Sequence, residues 1–286
     1  MTPRPGLAAR VAGANRPIVL DSAFGTRLIA RGLDLGSTLP AELVLDDPEA
    51  ILELHRLDVA AGAEHLLTAT FVPLISRWGK SAARLERLHR SAVALAVAAI
   101  GDRDRVIGSI APESPAAVEP ALAPLAWFAE EGVSTVVAET CSLDFAASWL
   151  PKARARFSGT IVVSLHETVA DLESAAATLF ALGADLVGSN CRSDLEATSG
   201  DLEALARGGA GRPLWVRPGG GLPGAPAIAP DRFAARVDAW RRLGVAAFGG
   251  CCGTDDRHVA ALRRAVDALD LGDSGGSGGA KDAARR

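Results

Sequence analysis

The chain has 286 residues, of which 49% are apolar and 22% are charged, and its formal net charge is −4. This composition excludes a globally disordered chain, and the lack of a long basic run argues against a nucleic-acid partner. No stretch approaches the roughly 20 apolar residues of a membrane span. Residues 1–16 lack the apolar core of a signal peptide, so we expect a short leader and a cytoplasmic protein.

Eight short apolar runs rich in β-branched residues alternate with longer helical patterns along the chain. Their continuous apolar character indicates parallel strands that are buried on both faces. In chain order the runs are Pro17–Ala23, His65–Thr70, Arg105–Ala111, Ser134–Thr140, Thr160–His166, Asp185–Cys191, Pro213–Arg217 and Ala246–Cys252.

Helical patterns fill most of the intervals, and several begin with an aspartate suited to a helix N-terminus. Glycine follows several of them, for example at Gly62 and Gly183, and glycine commonly terminates helices. The patterns cover Pro48–Ala61, Ser81–Ile100, Asp171–Leu182, Asp194–Ala206, Asp231–Leu243 and Asp255–Leu269.

The strand–helix rhythm predicts an α/β protein whose single domain, residues 17–271, is a (β/α)8 TIM barrel. An open doubly wound sheet is the main alternative, and no GxGxxG motif follows the first strand to favour it. Residues 272–286 are rich in glycine and have no apolar face, so we expect them to form a disordered tail.

Polar side chains collect at the C-terminal ends of the predicted strands, where barrels of this type build their active sites. Asp21 ends the first strand, Glu139 the fourth and Cys191 the sixth, and Cys251 and Cys252 end the eighth. Two acids and three of the four cysteines therefore converge on one rim. The other polar residues at strand ends are Thr68, Thr70, His166 and Arg217.

The three cysteines of this rim, Cys191, Cys251 and Cys252, are suited to a zinc ion. Strands six and eight flank strand seven, so sulfur atoms at their ends are close enough to share an ion, and Zn²⁺ favours tetrahedral sulfur ligation. Three protein ligands leave a fourth position open, which is the usual mark of a catalytic site. The glycine pair before Cys251 lets the backbone turn so that adjacent cysteines both reach inward.

Two other interpretations of these cysteines stay open. Free cysteine is often buried as a small apolar side chain, which would give the cluster no chemistry. A structural zinc site would instead be closed by a fourth ligand, which His166 or Cys141 would supply.

Six motifs resemble those of a known family. They are LDSAFGTRL at Leu20–Leu28, AGAEHLLTATF at Ala61–Phe71, AET at Ala138–Thr140, GADLVGSNC at Gly183–Cys191, PLWVRPGGGLP at Pro213–Pro223 and GGCCGT at Gly249–Thr254. Together they resemble the homocysteine S-methyltransferase family, which includes betaine–homocysteine methyltransferase and the homocysteine-binding module of cobalamin-dependent methionine synthase. The pair GSNC and GGCCGT is the most specific part of the resemblance.

The resemblance implies a methyltransferase that binds Zn²⁺ and transfers a methyl group from a cationic donor to the thiol of homocysteine, giving methionine. S-methylmethionine, S-adenosylmethionine and betaine are the candidate donors, and the thiol and the donor are the implied small-molecule partners. Aromatic faces hold such cations, and Trp78 and Trp215 lie nearest to strand ends. A folate or cobalamin methyl group would need a partner protein, and a homo-oligomer stays open.

The resemblance also assigns the substrate contacts. It implies that Asp21 and Glu139 hold the amino group of homocysteine, and that backbone amides near Ser22 and Ala23 receive its carboxylate. A helix cap at Asp21 and a salt bridge at Glu139 are the structural alternatives.

The sequence departs from the family pattern at several positions beside the site. The first motif usually has Gly-Gly followed by an acid, where this chain has Ser22, Ala23 and Arg27. The second motif usually has Asn at Ala69, and the seventh-strand motif has Gly219–Gly221 where Asn-Ala-Gly is usual. The cysteines are unaffected, so these departures leave the methyl donor and the exact acceptor open.

Two competing functions are compatible with a barrel. One is a lyase or aldolase with a phosphate site at Gly219–Gly221 and Gly249-Gly250, in the loops after strands seven and eight. No lysine ends a predicted strand, so a Schiff-base aldolase would lack its nucleophile. The other is a zinc- or homocysteine-binding protein without catalytic turnover.

Overall fold

Eight parallel strands form the centre of the molecule. The computed structural model describes residues 6–14, 16–34, 38–71, 81–112, 117–166, 168–221 and 226–274. Each strand begins within one residue of the start of its predicted run. The strands are β1 Ile18–Val19, β2 Leu66–Leu67, β3 Val106–Ile110, β4 Thr135–Cys141, β5 Thr160–Leu165, β6 Leu186–Asn190, β7 Leu214–Arg217 and β8 Val245–Phe248.

The strand order is β1-β8-β7-β6-β5-β4-β3-β2, and every pair is parallel. A parallel bridge between Leu20 and His65 joins the two outer strands, β1 and β2, and closes the sheet on itself. Closure leaves the sheet without a free edge and places all strand C-termini on one rim. The predicted (β/α)8 TIM barrel is confirmed.

Helices surround the strands and cover the outer face of the sheet. Four of the six predicted helical ranges match a helix within three residues at both ends, and five helices lie outside every predicted range. The helices are α1 Leu7–Gly13, α2 Gly25–Ala30, α3 Leu43–Asp46, α4 Pro48–Ala60, α5 Ala82–Ile100, α6 Ala123–Glu130, α7 Leu143–Arg156, α8 Leu172–Ala181, α9 Leu195–Gly209, α10 Pro230–Ala234, α11 Val237–Arg242 and α12 Asp256–Ser274.

Aspartate side chains set the starts of three of these helices. Asp47, Asp171 and Asp194 each accept hydrogen bonds from backbone amides of the first turn of α4, α8 and α9. These amides have no partner within the helix, so a capping carboxylate stabilises the helix start. The helix predicted over Asp231–Leu243 divides into α10 and α11. Ala235 and its successor keep helical backbone angles at the break, so only the regular hydrogen bonding is interrupted.

The protein has two separate clusters of buried apolar side chains. One lies between the sheet and the helices, and the other fills the inside of the barrel. Because β-strand side chains alternate between the two faces, each strand contributes to both regions. The inner region consists of Leu7, Ile18, Leu20, Leu67, Ile107, Val137, Val162, Leu186, Trp215 and Ala247.

The first helix belongs to the barrel, which corrects the expectation of a leader over residues 1–16. Leu7 is fully buried within the inner apolar region. Its backbone amide donates to Thr135 Oγ1 over 2.9 Å, and the amide of Ala8 donates to Thr160 Oγ1 over 3.1 Å. Both threonines lie at the starts of their strands, so α1 seals the end of the barrel opposite to the cysteines.

Truncation of the Leu7 side chain tests this seal. We expect Leu7→Ala to lower the free energy of unfolding by about 2–5 kcal/mol, because a fully buried leucine leaves a cavity when it is shortened. Chemical denaturation followed by circular dichroism measures the change. Ala9→Ser, on the exposed side of the same helix, is the matched control. Equal stability of the two variants would show that α1 does not seal the barrel.

The C-terminal helix continues beyond its predicted end. α12 reaches Ser274, three residues into the expected tail, and residues 275–286 lie outside the described residues. None of the described helices combines the length and apolar character that a bilayer crossing requires.

Candidate functional site

The three predicted cysteines meet at the C-terminal rim of the barrel. Cys191 directly follows β6, and Cys251 and Cys252 follow β8 after two glycines. The Sγ atom of Cys191 lies 2.7 Å from that of Cys251 and 3.5 Å from that of Cys252. All three sulfur atoms lie within 4.8 Å of one another, a spacing that allows one metal ion to contact them all.

Backbone hydrogen bonds around the end of β7 hold the cysteines in this arrangement. The amide of Cys191 donates to the carbonyl of Arg217 over 3.0 Å, and the amide of Cys251 donates to the carbonyl of Pro218 over 2.8 Å. The carbonyl of Cys252 accepts from the amide of Gly220 over 2.7 Å. Cys191 has a φ of 68°, an uncommon value for a residue with a side chain. Such strained positions persist only where the surroundings fix them, and they cluster at functional sites.

Gly253, directly after the cysteine pair, admits no side chain. Its φ is +80°, and a Cβ atom there would lie 1.7 Å from the carbonyl oxygen of Gly221. The loop after β8 therefore packs backbone against backbone on the loop after β7. This contact holds Cys252 in position, since only one peptide separates the two residues.

We expect Gly253→Ala to displace the cysteine loop and to lower the metal content of the purified protein. Gly211 has a similar φ of +86° but nothing within 4 Å of its Cβ position, so Gly211→Ala is the control for backbone strain alone. The control should lose about 1–2 kcal/mol of stability and keep its metal content. Metal analysis and denaturation of both variants make the comparison. Equal metal contents would contradict a role for this contact.

The protonation of the three cysteines is interdependent. Hydrogen bonds from the thiols of Cys191 and Cys251 lower the pKa of Cys252 to about 3. The hydrogen bonds of Cys191 with Cys251 and Cys252 raise the pKa of Cys191 above its ordinary value. Without a cation the cluster thus favours one thiolate that accepts from thiols. Neighbouring thiolates repel one another, and a bound cation removes that obstacle to full ionisation. The donor set and its spacing fit a soft divalent metal ion.

Asn190 is a polar residue of the site that the sequence analysis gave no role. Its Oδ1 accepts from the amide of Thr140 over 3.1 Å and from Ser164 Oγ over 2.9 Å, and its Nδ2 donates to Thr140 Oγ1 over 2.9 Å. The same Nδ2 lies 3.9 Å from Cys251 Sγ. Asn190 therefore ties the ends of β4, β5 and β6 together beside the cysteines. Its place in the GSNC motif was the available sequence signal.

Arg217 joins the two predicted acids, which the sequence analysis did not foresee. Its Nη2 donates to Asp21 Oδ1 over 2.9 Å, and its Nη1 lies 3.4 Å from Glu139 Oε2. Burial opposes the charge of Arg217, but the carboxylates of Asp21 and Glu139 raise its pKa above the ordinary value, so it stays a cation. Both acids are therefore in ion pairs before any ligand binds.

The two acids differ in access to a ligand. Asp21 is fully buried, and its second oxygen accepts from the amide of Leu67 over 2.7 Å. Burial raises the pKa of Asp21 to about 7 against the opposing charge of Arg217. Glu139 lines a cavity on the rim, where Ser109 Oγ donates to its Oε1. Burial raises the pKa of Glu139 as well, and Arg217 and Ser109 oppose that shift.

A second buried ion pair occupies the first motif. The amide of Ser22 donates to Asp58 Oδ2 over 3.2 Å, and Arg27 Nη1 donates to Asp58 Oδ1 over 2.9 Å. The amide of Ser22 is therefore engaged within the protein and does not face a ligand freely. Ala23 lines the cavity. Of the two amides assigned by resemblance, the structure gives a protein partner to the one at Ser22.

The cavity above the cysteines has a volume of about 180 Å³. Its lining includes Glu139, Arg217, the three clustered cysteines and Phe71. Phe71 is 50% exposed, an unusual degree for a large apolar side chain. Trp215 is fully buried inside the barrel, so it does not form a wall of this cavity, and Trp78 lies outside the described residues.

A fourth protein ligand does not join the cysteines among the described residues. Cys141 is fully buried in β4, and burial raises the pKa of its thiol. The ring of His166 hydrogen bonds to Thr168. Neither belongs to the group of three sulfur atoms, which argues against the closed structural site.

Four of the five glycine amides of the predicted phosphate site are engaged within the protein. The amides of Gly219 and Gly220 donate to the carbonyls of Arg192 and Cys252, over 2.8 and 2.7 Å. Those of Gly249 and Gly250 donate to carbonyls of β7 and of Asp21, both over 3.0 Å. This argues against the phosphate site of a barrel lyase or aldolase.

A sequence model described as homocysteine S-methyltransferase matches residues 18–266. The chain belongs to the homocysteine S-methyltransferase family. Among its relatives, the methionine synthase of Mycobacterium tuberculosis is 29% identical over 88% of this chain and 25% of its own length. That of Mycobacterium leprae is 27% identical over 88% of this chain and 24% of its own length. The chain thus spans about a quarter of the length of these relatives.

A solved member of the family shares the fold. The homocysteine methyltransferase MmuM from Escherichia coli, in its metallated form, superposes with a TM-score of 0.74. The match covers 89% of this chain and 98% of MmuM at 24% sequence identity. At this identity the likeness concerns the barrel architecture, and the chemistry of this chain rests on its own site.

Proposed function

We propose that the protein is a zinc-dependent S-methyltransferase that transfers a methyl group from a cationic donor to the thiol of homocysteine, giving methionine. The observation that carries this proposal is the group of three cysteine sulfur atoms at the C-terminal rim, within 4.8 Å of one another and on the wall of a cavity. Family membership supports the reaction class.

The donor set favours zinc over harder ions. Thiolates select zinc among the common divalent metals of cells, whereas magnesium and calcium prefer oxygen ligands. Cys191, Cys251 and Cys252 would hold the ion, and three protein ligands leave one position for an incoming thiol. When bound, zinc would lower the pKa of that thiol and keep it as a nucleophilic thiolate at neutral pH.

The protein residues bind and orient the reactants. Glu139 lines the cavity and has a carboxylate for the ammonium group of homocysteine. Phe71, half exposed on the same wall, offers an aromatic face to a positively charged donor. Alignment of the two reactants lowers the barrier, because the entropy of bringing them together is lost on binding and not in the chemical step.

The chemistry balances without an oxidant or a reductant. The thiol first loses its proton to solvent. A bond then forms between the homocysteine sulfur and the methyl carbon, and the bond from that carbon to the donor sulfur or nitrogen breaks. The electron pair of the broken bond stays with the donor atom, which loses its positive charge.

The test is detection of methionine by mass spectrometry with homocysteine and each of the three donors. The expected result is methionine formation with at least one donor, loss of activity after removal of zinc by a chelator, and recovery on addition of zinc. Methionine formation only with methylcobalamin or a methylfolate partner protein would identify the chain as an acceptor module. Zinc binding without any product would favour the binding protein, and lack of zinc binding would refute the proposal.

A further inference from the structure

The guanidinium group of Arg217 lies at the cavity wall and is held from three directions. Nε donates to the carbonyl of Gly250 over 3.1 Å, and Nη2 donates to Asp21 Oδ1 and to the carbonyl of Ser22 over 2.9 and 3.2 Å. These contacts use three of the five N–H donors of arginine. They fix the plane of the group, so Nη1 presents the two remaining donors.

The contact of Nη1 is incomplete. One of its hydrogens points to Glu139 Oε2 over 3.4 Å, which is long for a charged hydrogen bond. The other has no partner among the described residues. A cation that is 4% exposed, lines a cavity and has spare donors is suited to an anionic ligand group.

Two of the four groups that the resemblance assigns to homocysteine, Asp21 and the amide of Ser22, are engaged within the protein. Asp21 has no exposed surface, and both of its oxygens accept hydrogen bonds within the protein, so it does not reach an ammonium group. The amide of Ser22 donates to Asp58. Of the assigned groups, Glu139 and the amide near Ala23 remain at the cavity wall, and Arg217 is the charged group beside them.

We propose that Arg217 binds the carboxylate of the acceptor thiol and that Glu139 alone binds its ammonium group. Asp21 then acts as a positioning residue that orients Arg217 and does not touch the ligand. The guanidinium of Arg217 and the carboxylate of Glu139 lie side by side, and they match the two opposite charges on the α-carbon of an amino acid. An amino-acid ligand would replace the long contact between Arg217 Nη1 and Glu139 Oε2. The inference rests on the proposed function, since it names the acceptor class of that site as thiols with an α-amino-acid group.

Binding of homocysteine and two analogues to the zinc-loaded protein tests the inference. 3-Aminopropanethiol lacks only the carboxylate, and 4-mercaptobutanoate lacks only the ammonium group. Calorimetry should give wild-type protein about tenfold or greater preference for homocysteine over each analogue, since each loses a charged hydrogen bond.

Variants then separate the two ends of the ligand. Arg217→Gln combined with Asp21→Asn avoids an unpaired buried carboxylate at position 21. We expect the double variant to lose the preference over 3-aminopropanethiol and to keep the preference over 4-mercaptobutanoate. Glu139→Gln should show the opposite pattern. Arg217→Lys, which keeps the positive charge, should retain part of the preference for the carboxylate.

Failure of the inference differs from failure of the proposed function. Methylation of homocysteine by a double variant that still rejects 3-aminopropanethiol would overturn the role of Arg217, leave the methyltransferase standing and favour the amide of Ala23. Loss of the preference in the double variant, together with failure of wild-type protein to methylate homocysteine with any donor, would leave the binding role standing and refute the enzyme. Failure of zinc-loaded wild-type protein to bind homocysteine would contradict both.

Discussion

Cys252→Ala is expected to abolish stoichiometric zinc binding and homocysteine methylation while the barrel still folds. The side chain supplies one of three sulfur ligands, and two cysteines on separate strands do not make a stable zinc site. Cys252 lies in the loop after β8, outside both apolar regions, so its removal leaves the core intact. Metal analysis, the methylation assay and the denaturation midpoint measure the three consequences.

Cys141→Ala is the matched control for this prediction. Cys141 is the one cysteine of the chain outside the cluster, and it is fully buried in β4. Its replacement should cost some stability through lost packing and should leave the zinc content unchanged. Retention of zinc in Cys252→Ala, or equal loss in both variants, would contradict the three-cysteine site.

Arg217→Gln as a single change is expected to destabilise the protein by about 3–5 kcal/mol. The change leaves Asp21 and Glu139 buried without their common cation, and removal of one partner from a buried ion pair has this cost. Addition of Asp21→Asn should restore at least half of the loss, because one of the two buried charges is then gone. Urea denaturation of the two variants and of wild-type protein measures the effect.

The loss of stability in the single variant Arg217→Gln should also depend on pH. The folded-state pKa of Asp21 is already raised to about 7 from 3.8, and loss of Arg217 removes an influence that lowers it. The folded protein then binds a proton at Asp21 that the unfolded chain does not, so the contribution of Asp21 to stability is greatest at low pH and falls as pH rises. We expect a larger deficit at pH 8 than at pH 6. A deficit independent of pH would show that the cost is one of packing.

The barrel was predictable because its signal is repeated eight times. Each buried parallel strand gives a continuous apolar run, and errors of up to four residues at strand ends do not alter the topology. The cysteine cluster was predictable for a related reason. Cys191, Cys251 and Cys252 follow strands whose order in a barrel follows from their order in the chain.

Features that depend on side-chain direction were not predictable from the sequence. Arg217 ends β7 and was noticed as polar, but its pairing with Asp21 and Glu139 joins β1, β4 and β7 across the barrel. No sequence spacing encodes such a contact. The helix at Leu7–Gly13 was missed because it is short and follows a proline- and arginine-rich start, and its apolar side is recognisable only once the open barrel end is known.

Helix α1, at the barrel end opposite to the cysteines, limits where the chain can be shortened for expression. The family match begins at residue 18, so a fragment chosen on that boundary would lack α1. The inner apolar region that contains Leu7 would then be open to water at this end, and such a fragment should aggregate or bind hydrophobic dyes. Affinity tags are better attached before residue 1 through a flexible spacer than spliced at the first strand.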